Sequence, residues 1–367
     1  MAKSSKPRIR RIALTTGGGD APGLNAVIRA VVLAAARQGW DCVGIRSGYD
    51  GLLSGNPARG LVPLTPERVR GITNLGGTIL GTTNAGNPLH YPTRLASGKL
   101  VERDRTADVI RALKRERVDA LVAIGGDGSL GIAAALAKKG LRVVGVPKTI
   151  DNDLDSTVIT FGFDSAVSFA TECIDRLHTT AESHRRILVV EVMGRYAGWI
   201  ALNSGVSGDA HAILIPEIPY DLAKVARTLK ENAPRYAIVV VAEGARPKGG
   251  RRLVVEKKLG AAERLGGVGA QVAAELAVLT GRETRHVVLG HLLRGGSPTT
   301  FDRLLSLRFG AAAVRALAEG RSGVMVALDP PTVKYVPLAK ATRRMKAVHL
   351  GSDTVRTARD LGLSLGD

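Results

Sequence analysis

The chain of 367 residues has few of the features that mark secreted, membrane or single-strand-binding proteins. Its 2 cysteines, Cys42 and Cys173, are too few for a disulfide framework and predict reduced thiols in a cytoplasmic protein. No apolar run approaches the roughly 18 residues of a membrane span, and no apolar signal core follows the basic N-terminus. Aromatic residues make up only 4%, so platforms for stacking nucleic-acid bases are scarce. We therefore expect a cytoplasmic globular protein without a membrane partner.

Acidic residues are also in short supply, with 33 Asp and Glu against 52 Lys and Arg, for a net charge of +19. Such a charge suits either a nucleic-acid-binding protein or an enzyme with anionic substrates. The chain has no zinc-ligand spacing and no basic-aromatic RNA-binding signature. Much of the excess lies in patches at residues 3–11, 246–258 and 340–346, which favours surface charge. We expect no specific nucleic-acid partner, and a catalytically inactive regulatory or nucleic-acid-binding protein is the alternative of a different class.

A buried strand, a glycine turn and a helix follow one another twice. Residues 10–16 predict a strand that ends in Gly17-Gly18-Gly19-Asp20, and the helix after it begins near Pro22. Residues 120–124 predict a second strand, with a turn at 125–128 and a helix at 130–139.

Further predicted strands alternate with helices, which is typical of parallel sheets covered on both faces. The strands are 141–146, 187–192, 212–215, 237–241 and 286–289, and the helices are 165–182, 221–231, 268–279 and 302–319. The sequence therefore predicts an α/β protein, long enough for two domains. In such sheets ligands bind beyond the carboxyl ends of the strands, where the glycine turns lie.

The two glycine turns are candidate phosphate sites. The turn at 17–19 matches neither a Walker loop nor a dinucleotide fingerprint, yet bare amides at a helix start favour an anion. A tight strand-to-helix turn is the alternative. The turn Gly125-Gly126-Asp127-Gly128 is more specific, because one carboxylate among glycines suits Mg²⁺ bound together with substrate phosphates. Its alternative is an ordinary turn with a capping Asp127.

The segment Thr149-Ile150-Asp151-Asn152-Asp153 carries two carboxylates two residues apart. Both can face one pocket, where Asp151 would accept a proton from an attacking hydroxyl and Asp153 would hold the same group or its neighbour. The alternative is a solvent-exposed Asx turn. Together with the glycine turns, the segment indicates phosphoryl transfer to an alcohol.

Basic residues lie at the ends of two predicted strands. Arg186 precedes the strand 187–192 and Arg195 follows it, while Arg285, His291 and Arg294 surround the strand 286–289. Arginine binds phosphate through two parallel hydrogen bonds, and histidine adds a second kind of donor. Surface charge is the alternative for any single arginine, but the group as a whole predicts a cage for a sugar phosphate.

Six ordered segments resemble the 6-phosphofructokinase family over about residues 11–329. They are GGDAPG at 18–23, GGTILG at 76–81, GGDG at 125–128, TIDND at 149–153, EVMGR at 191–195 and GHLLRGGSP at 290–298. The resemblance is to the A type, in a subgroup with mixed ATP and pyrophosphate motifs. It implies two Rossmann-like three-layer domains with mainly parallel sheets and an active site between them. Residues 1–162 with about 293–343 would bind the phosphoryl donor and Mg²⁺, and about 163–292 with 344–367 would bind fructose 6-phosphate.

The resemblance also implies roles for individual residues. Asp151 would be the base on the 1-hydroxyl of fructose 6-phosphate, Thr149 and Arg195 would assist catalysis, and Asp127 would bind Mg²⁺. The implied donor-binding residues are Gly18, Asn84, Gly128, Ser129 and Lys148. The implied sugar-phosphate residues are Thr149, Asp151, Asp153, Arg186, Met193, Gly194, Arg195, Glu243, Arg285, His291 and Arg294. Arg186 and Arg285 would come from the adjacent subunit of a homotetramer or homodimer.

The phosphoryl donor is implied by three positions that do not agree. Gly128 matches ATP-using relatives, since pyrophosphate-using members usually carry Asp there and obstruct the nucleotide. Lys148 matches the pyrophosphate pattern, and Asn84 stands where many relatives have an ATP-binding Arg. We predict an ATP-dependent 6-phosphofructokinase of glycolysis that makes fructose 1,6-bisphosphate, with a pyrophosphate-dependent phosphotransferase as the alternative. A lipid or NAD kinase would share the GGDG turn, but the sugar-phosphate cage argues against it.

Overall fold

The computed structural model describes residues 8–53, 60–84, 86–232, 235–256 and 263–367. Part of the predicted domain segment 1–162 and of the basic patches at 3–11 and 246–258 lies outside these ranges. The strands are β1 (Arg11–Thr16), β2 (Asp41–Ile45), β3 (Leu61–Leu64), β4 (Tyr91–Arg94), β5 (Leu100–Arg103), β6 (Ala120–Gly125), β7 (Arg142–Pro147), β8 (Ile187–Val192), β9 (Ala212–Leu214), β10 (Ala237–Ala242), β11 (Val254–Glu256), β12 (Arg264–Leu265), β13 (Thr284–Val288), β14 (Val324–Asp329) and β15 (Thr332–Pro337). The helices are α1 (Leu24–Arg37), α2 (Asp50–Leu53), α3 (Thr106–Arg115), α4 (Asp127–Lys138), α5 (Phe163–His184), α6 (Trp199–Ser207), α7 (Leu222–Asn232), α8 (Val268–Thr280), α9 (Thr300–Ala318), α10 (Leu338–Ala341) and α11 (Asp353–Asp360), and residues 290–294 form a 3₁₀ helix.

Seven strands form a large sheet in the order β15-β14-β7-β6-β1-β2-β3. Its five inner strands are parallel, and the edge strands β3 and β15 run antiparallel to their neighbours. Successive residues of β6 point to opposite faces, so Val122 joins the core under α1 and α9 while Leu121 joins the core under α3 and α4. A continuous apolar run of this kind marks a strand buried on both faces.

Four parallel strands form a small sheet in the order β13-β8-β10-β9. Helices α5 and α6 cover one face around Ile174 and Ile200, and α7 and α8 cover the other around Val225 and Leu276. Edge strand β9 is flanked by residues near the C-terminus. Ile213 N donates to Ser364 O at 2.8 Å, and Ser364 N donates to His211 O at 3.1 Å.

The prediction of an α/β protein with mainly parallel sheets and helices on both faces is confirmed. Each predicted strand and helix appears with bounds shifted by a few residues at most. The elements that were not predicted are strands β2, β3, β4, β5, β11, β12, β14 and β15 and helices α2, α3, α6, α10 and α11. The large sheet takes strands from 11–147 and 324–337, and the small sheet takes strands from 187–288. The exact domain boundaries stay a prediction.

The described part of the chain bears on two expectations from the sequence, one about membrane-spanning segments and one about the cysteines. No helix within it is both long enough and apolar enough to cross a membrane. Cys42 is buried, Cys173 is half-buried, and both are free thiols. Burial raises the pKa of Cys42 to about 12, so this thiol stays protonated at neutral pH.

Candidate active site

The candidate residues follow the carboxyl ends of parallel strands in both sheets. On the large sheet, neighbouring strands β1, β6 and β7 lead into residues 17–20, 126–129 and 148–153, which we name the glycine side. On the small sheet, β8, β10 and β13 lead into residues 193–195, Glu243 and 291–294, which we name the arginine side. The hydrogen bond that Arg294 Nη1 donates to Asp20 O at 3.0 Å shows that the two sides face each other.

The turns of the glycine side are joined by backbone hydrogen bonds. Gly17 N donates to Ile124 O, and Lys148 N donates to Gly125 O, each at 3.0 Å. A Cβ atom at Gly125 would lie 2.3 Å from Ser129 Cβ, and one at Gly17 would lie 2.6 Å from Ser129 Oγ. Only glycine allows this close approach, which brings the β1 turn against the start of α4.

Asp127 and Gly128 form the exposed first turn of α4, where free backbone amides favour an anion. No described atom lies within 4 Å of a Cβ built at Gly128, so space for a ligand is open beside it. No three His, Cys, Asp or Glu side chains of the described ranges group as a metal-binding cluster. A single carboxylate is nonetheless what Mg²⁺ uses when substrate phosphates and water supply the other ligands.

Asp151 and Asp153 are 7% and 9% exposed, so the alternative of a solvent-exposed Asx turn is wrong. Asp151 N donates to Thr149 Oγ1 at 3.0 Å, but Asp151 Oδ1 has no hydrogen-bond partner among the described residues. Burial raises the pKa of Asp151, an effect that Arg294, Arg195 and Lys148 oppose. Burial also raises the pKa of Asp153 to about 7, with contributions from Asp151 and Asp127. The buried, unpartnered oxygen is available to a ligand.

Lys148 is a buried cation on the glycine side. The residue is 3% exposed, and its ammonium donates to Gly19 O. Burial lowers the pKa of Lys148 to about 8, and Arg294 adds to the decrease, while Asp151 and Asp20 oppose it. The lysine thus brings a positive charge into the space beside the glycine turns.

The arginine side is organised around Glu243. Its Oε1 accepts from Arg195 N at 3.0 Å and from Gly194 N at 3.4 Å. Arg195 has a φ of 53°, in the left-handed region, so this carboxylate holds the turn after β8 in an uncommon conformation. Burial raises the pKa of Glu243 to about 7, and Asp151 adds to the increase.

Arg294 connects the two sides directly. Its Nη1 donates to Asp20 O at 3.0 Å, and Gly19 is small enough to let the guanidinium pass. His291 is exposed on the preceding turn of the 3₁₀ helix, and Met193 is half-buried at the end of β8.

Within one chain, the residues of the predicted sugar-phosphate cage lie at opposite ends of the strands of the small sheet. Arg186 precedes β8 and therefore lies at the opposite end of this strand from Arg195. Arg285 lies near the start of β13, and both arginines contact Glu283, at 3.6 Å and 2.9 Å. A single chain thus does not bring them to the carboxyl ends of the strands.

Asn84 lies beside the glycine side. Gly18 N donates to Thr83 O at 3.2 Å, and Thr82 Oγ1 donates to Gly18 O at 2.5 Å. Asn84 is exposed and comes directly after these two threonines, which are hydrogen-bonded to Gly18.

One site-forming residue was missed in the sequence. Lys346 belongs to the basic patch interpreted as surface charge, yet its ammonium is bound to Asn152 Oδ1 at 2.8 Å. The long separation along the chain left no local signal for this contact.

Comparison with known proteins gives a consistent result. The family described as Phosphofructokinase matches residues 11–317. The chain is 50% identical over 361 residues to an ATP-dependent 6-phosphofructokinase of Chloroflexus aurantiacus, covering 98% of each chain. It is 51% identical over 346 residues to a pyrophosphate–fructose 6-phosphate 1-phosphotransferase of Amycolatopsis mediterranei, covering 92% of this chain and 96% of the relative. The crystal structure of Pichia pastoris phosphofructokinase in the T-state is 30% identical with a TM-score of 0.78, and the match covers 99% of this chain but only 38% of the yeast chain.

Proposed function

The chain belongs to the phosphofructokinase family, and from this premise we propose that it is an ATP-dependent 6-phosphofructokinase. It transfers the γ-phosphoryl group of ATP to the 1-hydroxyl of fructose 6-phosphate and releases fructose 1,6-bisphosphate and ADP, a step of glycolysis. The observation that carries the proposal is the buried Asp151 carboxylate, whose Oδ1 has no partner in the described chain at the point where the two sides meet.

Asp151 is the general base of the proposed reaction. Its free oxygen accepts the proton of the 1-hydroxyl while the sugar oxygen attacks the γ-phosphorus and ADP leaves. A raised pKa makes a carboxylate a stronger proton acceptor, and burial raises that of Asp151. Thr149 Oγ1 accepts from the Asp151 amide and fixes the start of this loop.

Positive charge surrounds the position of the transferred group. Lys148, Arg195 and Arg294 all act electrostatically on Asp151, so they lie where negative charge develops on the phosphoryl oxygens. Asp127 would hold Mg²⁺, which when bound would neutralise phosphate charge. Gly18, Gly128 and Ser129 line the donor on the glycine side, and Asn84 stands at its edge.

The acceptor lies on the arginine side. Asp153, Met193, Gly194, Arg195 and Glu243 surround the sugar, and His291 and Arg294 hold its 6-phosphate. Arg186 and Arg285 complete the phosphate site from the adjacent subunit of a homodimer or homotetramer. The protein acts in the cytoplasm, where its substrates are.

ATP as the donor is supported by the open space beside Gly128, which leaves room for a nucleotide. Pyrophosphate is the second candidate, because the buried Lys148 ammonium suits a compact, highly charged donor. The similarity to the Amycolatopsis mediterranei protein also favours it.

The test is formation of fructose 1,6-bisphosphate from fructose 6-phosphate and Mg²⁺, with ATP and pyrophosphate assayed in parallel. Turnover with ATP alone is the expected result and makes Gly128 the position that selects the donor. Turnover mainly with pyrophosphate would overturn the choice of donor and assign the selection to Lys148. No turnover with either donor would overturn the proposed function.

A further inference from the structure

Residues 344–348, which we name the strap, run along the loop that carries the two site carboxylates. Met345 pairs with Leu154 in an isolated antiparallel bridge, and Lys346 N donates to Asp153 O at 2.8 Å. These backbone contacts attach the strap to the glycine side.

The other edge of the same strap contacts the start of α6, which follows residues 193–195 of the arginine side, and Glu217 after β9. Trp199 Nε1, at the start of α6, donates to Lys346 O at 2.8 Å. Val348 N donates to Glu217 Oε1 at 2.8 Å, and Glu217 also accepts from Gly198 N at 3.0 Å. The strap therefore joins the loop after β7 to the start of α6, across the two sides of the site.

The Lys346 ammonium uses all three of its donors on this loop. It donates to Asn152 Oδ1 at 2.8 Å, to Thr157 O at 3.0 Å and to Val158 O at 2.9 Å. It also lies 5.6 Å from the centroid of the Trp199 ring. A cation with three acceptors and an aromatic face is held in one place.

Asn152, the residue that Lys346 binds, lies between the two carboxylates. Its φ of 51° is in the left-handed region, which asparagine adopts more readily than most other non-glycine residues. Its Oδ1 also accepts from Thr160 N at 3.2 Å. Because Asn152 joins Asp151 to Asp153, its backbone conformation decides the directions in which the two carboxylates point.

We propose that Lys346 is a positioning residue for phosphoryl transfer, since its ammonium fixes Asn152 and thereby aims Asp151 at the acceptor hydroxyl. The role of Asp151 in this proposal rests on the proposed function. The contact between Lys346 and Asn152 rests on geometry alone. Lys346 touches neither substrate in this scheme and acts only through the loop.

The test compares Lys346→Met with Arg344→Met in steady-state assays of fructose 6-phosphate phosphorylation. Methionine keeps the length and packing of the lysine stem but has no ammonium. Arg344 is the matched control, because its cation lies on the same strap, pairs with Asp155 at 2.7 Å and is 78% exposed. We expect kcat of Lys346→Met to fall by about tenfold to a hundredfold, as for a slightly misplaced reacting group. The KM for either substrate should stay near the wild-type value, and Arg344→Met should keep wild-type kcat.

An unchanged kcat in Lys346→Met, or a rise in KM alone, would overturn the proposal. A double-mutant cycle of Lys346→Met with Asn152→Gly distinguishes a positioning role from a purely structural one. The Asn152→Gly change removes the side-chain oxygen that accepts from Lys346 and relaxes the backbone. If Lys346 acts through Asn152, the single Asn152→Gly change lowers kcat, and adding Lys346→Met changes kcat little further. Fully multiplicative effects in the double variant would contradict the proposal. Should Lys346→Met fail to fold, the kcat of Asn152→Gly decides, since a wild-type value would overturn the idea.

A fluorescence measurement tests the contact independently of turnover. Of the 2 tryptophans, Trp40→Phe leaves Trp199 as the reporter. Burial lowers the pKa of Lys346 to about 8, although the charges of Asp153 and Asp155 act to raise it. Arg344 forms an ion pair with Asp155. Trp199 emission should therefore change through about pH 8 and lose this transition in Lys346→Met. Trp199 emission that is the same in wild type and Lys346→Met at every pH would contradict the contact, whereas an inactive wild-type protein whose emission differs from that of Lys346→Met would contradict only the proposed function.

Discussion

The two sides of the site are built from different parts of the chain. The glycine side presents backbone amides in short contiguous turns, at 17–19 and 125–128. The hydrogen bonds and close contacts that join these turns form within one chain. The arginine side presents charged side chains from separate strands, and two arginines of the predicted cage lie at the far end of the small sheet. Backbone recognition needs only a local motif, whereas a side-chain cage depends on the fold and, in the function proposed above, on a second subunit.

The largest effect is expected where the two sides meet. Asp151→Asn keeps the size of the side chain but removes the proton acceptor, so kcat should fall by about 10²- to 10⁴-fold while KM for fructose 6-phosphate changes little. Steady-state kinetics measure both constants. Asp329→Asn is the control, because this acid lies at the end of β14 and pairs only with Lys334, at 3.1 Å, in the described chain. An Asp151→Asn protein with wild-type kcat would refute the assignment of the base.

A second change should affect binding of the phosphoryl donor on the glycine side and leave the arginine side unchanged. Gly128→Asp should lower kcat/KM for ATP by about a hundredfold, because the new carboxylate faces the nucleotide phosphates at short range. Folding should be retained, since no described atom lies within 4 Å of a Cβ at this position. The KM for fructose 6-phosphate should not change.

The matched control is Gly131→Asp, which lies one turn further along α4 and also has open space around its Cβ. If both variants lose ATP turnover equally, the effect belongs to the helix and not to the donor site. If neither does, Gly128 does not face the nucleotide.

A third experiment tests whether the arginine side is shared between subunits. Arg186→Ala and Asp151→Asn proteins should each be weakly active at low fructose 6-phosphate. After mixing and subunit exchange, about a quarter of wild-type activity should return, since random pairing leaves about one site in four intact. Assays before and after exchange measure this recovery. No recovery would mean that Arg186 serves no neighbouring site.

The smallest effect is the pH dependence of the wild-type protein. Burial raises the pKa of Asp153 and of Glu243 to about 7, so both lose their charge as the pH falls below that value. Lys148, whose pKa burial lowers to about 8, loses its charge above that value. We expect kcat/KM to be highest between these limits and to fall on the acidic side by up to about tenfold per pH unit for each of the two carboxyls whose charge is required. A flat profile down to about pH 5 would show that neither carboxyl needs its charge.

The sequence predicted much of the glycine side because its information is local. Each turn follows a buried strand, and the spacing of apolar residues after Pro22 gives the helix that completes the motif. The same reasoning found β6, β7, β8 and β10, which are buried on both faces. It missed the edge strands β3 and β15, whose mixed burial lacks the apolar run of inner strands. It also missed the inner strands β2 and β14, although most of their residues are buried.

Long-range geometry explains what the sequence did not predict. Asp151 and Asp153 by themselves favour an exposed turn, whereas the folded chain buries them. Arg186 and Arg195 flank the same strand, so the sequence alone grouped them in one cage, and only the family resemblance assigned Arg186 to an adjacent subunit. Lys346 resembles its exposed basic neighbours until the fold brings it to Asn152.

The hydrogen bonds between Ser364 and the β9 edge have a practical consequence for handling the protein. Free strand edges are templates for pairing with other chains, and proteins cover them to avoid aggregation. Residues 363–366 do this for the small sheet, and Gly366 O also accepts from Asp221 N at 2.8 Å. Deleting the last five residues should therefore lower solubility before it lowers activity. Purification tags are better placed at the N-terminus, because a tag attached after Asp367 would compete with the segment that keeps the edge closed.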